Sequence, residues 1–177
     1  VIYNKGIPAN EVITKLVNDT VGKEKFWNRS VKNAKKILEL GKVDYEFIDY
    51  NDEIFSEIKM KVPQTLNDLL SFRYEEISFG KIAEGCLFRY YKSLTFGTDA
   101  YKVALDNVKV SLSNYCYLKS ISKSNKIDLI LMSHGIYTTW EPVVEFCKIN
   151  KTNYVCYDRG KTKNHININI NQNSPNW

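Results

Sequence analysis

The sequence predicts an α/β fold, a parallel sheet flanked by helices, with a helix-rich amino-terminal region. Two observations carry this expectation. Apolar runs at 127–132 and 154–157 flank a segment, 141–147, that opens on Glu-Pro and has helical character, which is the strand–helix–strand order of a crossover unit. Upstream, a helical pattern over 30–40 ends at Gly41 and gives way to alternation over 43–48, an earlier step of the same kind.

Taken in order, residues 1–50 begin polar and helical, with Pro8 at a helix start and Glu11, Val12, Leu16 and Val17 near helical spacing. Residues 51–61 mix charge with Ile54, Phe55 and Ile58, and Pro63 turns the chain into a helix over 66–72. Over 79–94, Ile82, Cys86, Leu87, Tyr90 and Leu94 share one helical face, which Gly97 is expected to close. Thr98-Asp99 then offers an N-cap for a long amphipathic helix over 100–122, whose Tyr101, Ala104, Leu105, Val108, Leu112, Tyr115 and Cys116 recur at steps of three and four. A polar loop at 122–126 feeds the strand at Ile127. Strict Ile/Asn alternation over 165–171 predicts a half-buried edge strand.

A chain of 177 residues can fill one core. A single domain over 1–177 is therefore expected, helix-rich over 1–122 and with its strand–loop–helix–strand core at 123–177. The abrupt start and the ending Ser174-Pro175-Asn176-Trp177 lead us to expect a piece of a two-domain protein. The net charge of +5 is dispersed among acidic residues, which argues against nucleic acid as a partner and leaves anionic small ligands or a weak preference for a membrane surface. The basic group Lys32, Lys35 and Lys36 reads as a solvated helix face. Cys86, Cys116, Cys147 and Cys156 lack short metal or redox spacing and read as buried free thiols. With no apolar run of membrane-spanning length and no leader pattern, they point to the cytoplasm. The Asn-x-Ser/Thr triplets at Asn18, Asn28 and Asn150 carry no weight in so Asn-rich a chain.

Several pieces occur in a telling order: Glu84-Gly85-Cys86-Leu87-Phe88-Arg89-Tyr90, Phe96-Gly97-Thr98, residues 128–140, Tyr157-Asp158-Arg159-Gly160-Lys161, residues 164–170 and the final Ser-Pro-Asn-Trp. With these the chain, from Glu84 onward, resembles the glycosyltransferase-like proteins of bacterial capsule and surface-polysaccharide biosynthesis. Relatives often carry Gly at the position of Glu141. The resemblance implies two Rossmann-like domains facing a cleft, the GT-B arrangement. It makes this chain the earlier, acceptor-side domain, with the nucleotide sugar held as co-substrate by a second domain and no other cofactor.

The chemistry concentrates after the two apolar runs. His134 follows the first run and precedes Gly135, a residue that allows a tight turn and close approach by a ligand. A neutral imidazole there can take the proton of an acceptor hydroxyl, a protonated one can bind a diphosphate, and a hydrogen-bonded strand-end histidine with no catalytic duty is an equal alternative. Tyr137 and Trp140 can stack on a sugar ring, although core packing suits Trp140 as well. Ser133 and Gly135 complete the expected substrate cradle. Thr138 can bond to the same ligand, whereas Thr139 reads as a cap for a helix with Pro142 in its first turn.

Asp158, Arg159 and Lys161 end the second run on the same sheet edge. Arg159 is the anion clamp, Asp158 orients it or His134, and a local Asp158–Arg159 surface pair is the plain alternative. Arg89 is a secondary candidate for an acceptor phosphate, and His165 is read as structural. Neither a metal-ligand cluster nor a glycine-rich phosphate loop occurs, so a metal-independent transferase is expected. The rival readings are a non-catalytic sugar- or nucleotide-binding module, and an assembly subunit whose aromatic surplus, including 12 tyrosines, serves an interface.

Overall fold

The computed structural model describes residues 2–3, 23–45, 48–49, 63–160, 162 and 165–173. Expectations for 4–22, 51–61, Lys161 and 174–177 lie outside the described residues. The chain divides into two compact units, Val1–Asp52 and Glu53–Trp177.

In the first unit, β1 (Ile2–Tyr3) pairs in parallel with β2 (Ile48–Asp49), and α1 (Lys23–Leu40) lies between them in sequence. The predicted helix starts earlier than the periodicity placed it. It ends where Gly41 N–H and Val43 N–H return to the carbonyls of Ile37 and Leu38, with Lys42 rather than Gly41 in the left-handed region. Lys32, Lys35 and Lys36 are exposed, as a solvated face requires.

The second unit is mixed α/β. Its elements are α2 (Leu66–Leu70), α3 (Phe79–Tyr91), α4 (Ala100–Ser124), β3 (Leu129–Ser133), α5 (Tyr137–Asn150), β4 (Asn153–Arg159) and β5 (Ile166–Ile170). The open sheet has the order β3-β4-β5, with β3 and β4 parallel and β5 antiparallel to β4. A parallel sheet was expected. The correction follows from the connection: β4 reaches β5 through a short hairpin, and a parallel partner would need a crossover of a dozen residues or more.

Helices α3, α4 and α5 pack together, and their shared core is partly aromatic. Tyr115 stands at 5.8 Å from Phe79 and 6.3 Å from Phe146, ring centre to ring centre, so these aromatics bind the helices to one another rather than facing a partner. Gly80 is a steric requirement here, because a Cβ would overlap the backbone of Leu69 and Leu70 at the end of α2. One expected helix end moves and one expected side-chain cap is not made. Lys92, in the left-handed region, ends α3 before Gly97 is reached, and the Asp99 carboxylate accepts the Tyr91 hydroxyl instead of capping α4. Burial, then the Asp99 contact, pushes the Tyr91 hydroxyl up to about 12.

The edge position of β5 agrees with its alternating sequence, but its orientation does not. Ile166, Ile168 and Ile170 are exposed, while Asn167 and Asn169 take the half-buried side, in register with Asp158 and Cys156. Asn171 fixes this register. It adopts φ 53°, donates its N–H to Tyr154 O at 2.8 Å and accepts Tyr154 N–H on its side chain at 2.9 Å. A one-residue slip would reverse every side chain, so a clamp at the strand end decides which face each Ile takes.

Candidate functional site

Parallel pairing of β3 with β4 brings their carboxyl ends together, with Ser133 opposite Tyr157. That edge is where open α/β sheets hold their ligands. His134 N–H extends the ladder to Tyr157 O at 3.1 Å, and the chain then reverses. Gly135 N–H returns to Ser133 O at 2.6 Å across His134, a tight turn centred on the histidine. His134, Gly135 and Tyr137 have φ of 58°, 74° and 67°. Such backbone costs about 1–3 kcal/mol for each non-glycine residue and concentrates at functional sites.

The turn sets the imidazole between two partners. Nε2 faces Asp158 Oδ1 at 3.5 Å, and Nδ1 meets the Ser133 hydroxyl. Asp158 is 5% exposed and its side chain points to the helix-covered face, while Arg159, one residue on, is exposed on the opposite face. Strand alternation therefore separates Asp158 from the Arg159 guanidinium, and the carboxylate accepts the Arg159 backbone N–H. With the proton on Nε2 aimed at Asp158, Nδ1 is the accepting nitrogen and the Ser133 hydroxyl donates to it.

Gly135 is buried beneath this turn. A Cβ there would stand 2.5 Å from Cys156 Sγ, 3.1 Å from Asn173 Oδ1 and 3.3 Å from Val144 Cγ2. Asn173 Oδ1 is buried without a hydrogen-bond partner among the described residues, as is Nδ2 of Asn169, which pairs in register with Cys156. The sequence reading did not single out these asparagines as site residues. The signal was present in the Asn half of the β5 alternation, once that half is known to face inward. Together they give the floor of the turn unused hydrogen-bonding capacity.

Comparison with protein-family models, characterised proteins and solved structures finds no match to this chain. The site therefore rests on its own geometry.

The remaining expected site residues divide between the border of the turn and the protein interior. The Arg89 guanidinium, on α3, lies 4.3 Å from the ring centre of Tyr137, so this pair borders the same turn. Trp140 is half-buried against the core. Thr138 is a correction. At 2% exposure, its hydroxyl donates to Asn107 Oδ1 and lies 2.6 Å from Cys86 Sγ, so it ties α3, α4 and α5 together inside the protein.

Thr139 is corrected for a related reason. The helix begins at Tyr137, its N-cap Ile136 contributes no side-chain bond, and Thr139 is already helical. The carboxylate of Glu141 accepts Tyr137 N–H at this helix start. Pro142 is then the sixth residue of α5, not part of its first turn. Lacking an N–H, it leaves Thr138 O free, and Ser111 Oγ donates there at 3.2 Å while Asn114 Nδ2 donates to Thr139 O at 3.0 Å.

None of the four cysteines forms a disulfide, and all but Cys116 are buried. Burial, then the neighbouring Cys156, pushes the Cys147 thiol up to about 12, which makes it a poor nucleophile. Among the described residues no group of His, Cys, Asp and Glu is arranged to hold a metal ion, and no helix is long and apolar enough to cross a membrane. His165 meets Thr162 in the β4–β5 connection, where its N–H also closes the turn onto Thr162 O at 3.1 Å.

Proposed function

We propose that this chain is the Rossmann-like, acceptor-side half of a cytoplasmic glycosyltransferase that builds a surface polysaccharide at the inner face of a membrane. The observation that carries the reading is the His134–Asp158 pair, held at 3.5 Å across the carboxyl ends of two adjacent parallel strands. The ordered resemblance from Glu84 onward supports the same class. In this reading the acceptor hydroxyl gives its proton to His134 as its oxygen bonds to the anomeric carbon. The bond from that carbon to the diphosphate breaks, and its electrons leave with the phosphate oxygen.

Asp158 positions the ring and stabilises the imidazolium that forms. Ser133, Gly135 and Tyr137 cradle the acceptor, and Arg89 and Arg159 supply cations for a phosphorylated one. The nucleotide sugar is bound by a second domain. A second reading, a non-catalytic sugar- or nucleotide-binding module, is favoured by one observation: the Ser133 hydroxyl already occupies Nδ1 of His134.

Amide NMR titration of the chain with nucleotide sugars and short phosphorylated glycans tests ligand binding, with shifts expected at 133–137 and 158–159. No shift with any of these ligands would overturn both readings. A transfer assay on the full-length protein separates the two. His134→Ala is expected to lower the rate by about 10²–10⁴-fold, the usual share of a general base; an undiminished rate would remove His134 as the base, and no transfer by the parent protein would leave only the binding module.

A further inference from the structure

Within the second unit, the face of the β3-β4-β5 sheet that points away from α3, α4 and α5 is apolar and exposed among the described residues. Leu129, Leu131, Tyr157, Ile166, Ile168 and Ile170 are between 44% and 68% exposed. The register gathers them into one surface: Leu131, Val155 and Ile170 form a row across all three strands, and Tyr157 beside Ile168 forms the next. Scattered exposed apolar residues need no explanation, but a contiguous sheet face of them does.

The composition of β5 sharpens the anomaly. The strand places its isoleucines on the open side and its asparagines on the helix side, the reverse of what burial within the described residues would select. The arrangement is consistent only if the open side is covered.

We propose that this face is an interface between two copies of the chain, with the two sheets stacked face to face. Charge narrows the choice of occupant. Of the residues that alternation puts on this face, Arg159 alone is charged, and it sits at the end of β4. An anionic membrane or a nucleic acid would find no basic surface there. A flat apolar face is complementary to itself under a two-fold axis, and stacked sheets of this kind interdigitate at ~10 Å.

Area points the same way. At roughly 100 Å² for each of these large apolar side chains, the face offers about 600 Å² per copy, and a symmetric pair buries about 1,200 Å², above the ~1,000 Å² that a specific interface needs. Arg159 then falls at the rim of the pair, and Ser133, in the row of Tyr157 and Ile168, brings the interface to the edge of the His134 turn.

Sedimentation of the chain across a micromolar concentration series tests this, and a dimer is expected. Leu131→Lys combined with Ile168→Lys should raise the dissociation constant at least a hundredfold while the helical circular dichroism is retained. If that variant does not fold, Ile168→Cys provides the second measurement. Its maleimide labelling, corrected for the parent protein, should slow as protein concentration rises. A monomer whose introduced thiol labels freely at every concentration would overturn the proposal. So would protection that does not depend on concentration, since the chain itself would then cover the face.

Discussion

Gly135 is the residue on which the candidate site depends most directly. It combines a left-handed backbone with a Cβ position already occupied by Cys156, Asn173 and Val144. Gly135→Ala adds backbone strain to overpacking, and urea unfolding should show a loss of about 2–4 kcal/mol. A change within experimental error would mean that the turn relaxes freely and does not hold His134. At this scale the sequence was informative where chemistry sits at a strand end. His134 and Asp158 were legible because two apolar runs in parallel must deliver their following residues to one edge. Thr138 was not, because its role depends on Asn107 and Cys86, which are distant in sequence and unremarkable in pattern. Asn169 and Asn173 were equally hidden, since the direction a strand faces is decided by tertiary packing.

Among the elements, α5 shows how a helix start can be misread. Glu-Pro resembles a first turn, and the rule that places Pro there is sound, but the chain enters the helix earlier through a left-handed Tyr137 and uses Glu141 as its cap. The long helix α4 was read almost to its ends because its apolar period extends over many turns, whereas α3 was overrun because a lysine, not the glycine, adopts the terminating conformation.

The α5 cap also has a pH signature. Burial, then the Glu145 carboxylate, raises the Glu141 carboxyl above its ordinary value. A carboxyl with a raised folded pKa binds its proton more tightly in the folded state. Its contribution is present below the unfolded pKa and is lost as pH rises through the folded one. Glu141→Gln keeps an acceptor for Tyr137 N–H without the charge, so its melting temperature relative to the parent should rise between pH 4 and pH 7. A constant difference across that range would show that Glu141 is not destabilised by ionisation.

For the second unit as a whole, the ionic tie between Glu75 and α4 has the opposite sign. Hydrogen bonds from Lys119 and then from Tyr115 hold the Glu75 carboxyl below its ordinary value, and the residue occupies a left-handed turn at φ 53°. Its contribution is present above the unfolded pKa and is lost as pH falls through the lowered one. Glu75→Gln should therefore destabilise the protein at pH 7 and converge with the parent in acid, as followed by thermal melts. The pair is half-exposed, so the effect should be modest and should shrink in high salt. The broad α/β class was legible from the order of apolar runs and helical periods, and the antiparallel last strand could have been read as well, because the connection over 160–165 is too short for a crossover. The bonds from Ser111 and Asn114 to the first turn of α5 carry a consequence for how the site comes into being. That turn lacks the backbone bond Pro142 cannot make, so it gains its order only when α5 settles on α4. The His134 reversal just before it should consequently form late in folding, and in amide exchange its protection should disappear together with that of the α4–α5 contact rather than by separate fraying.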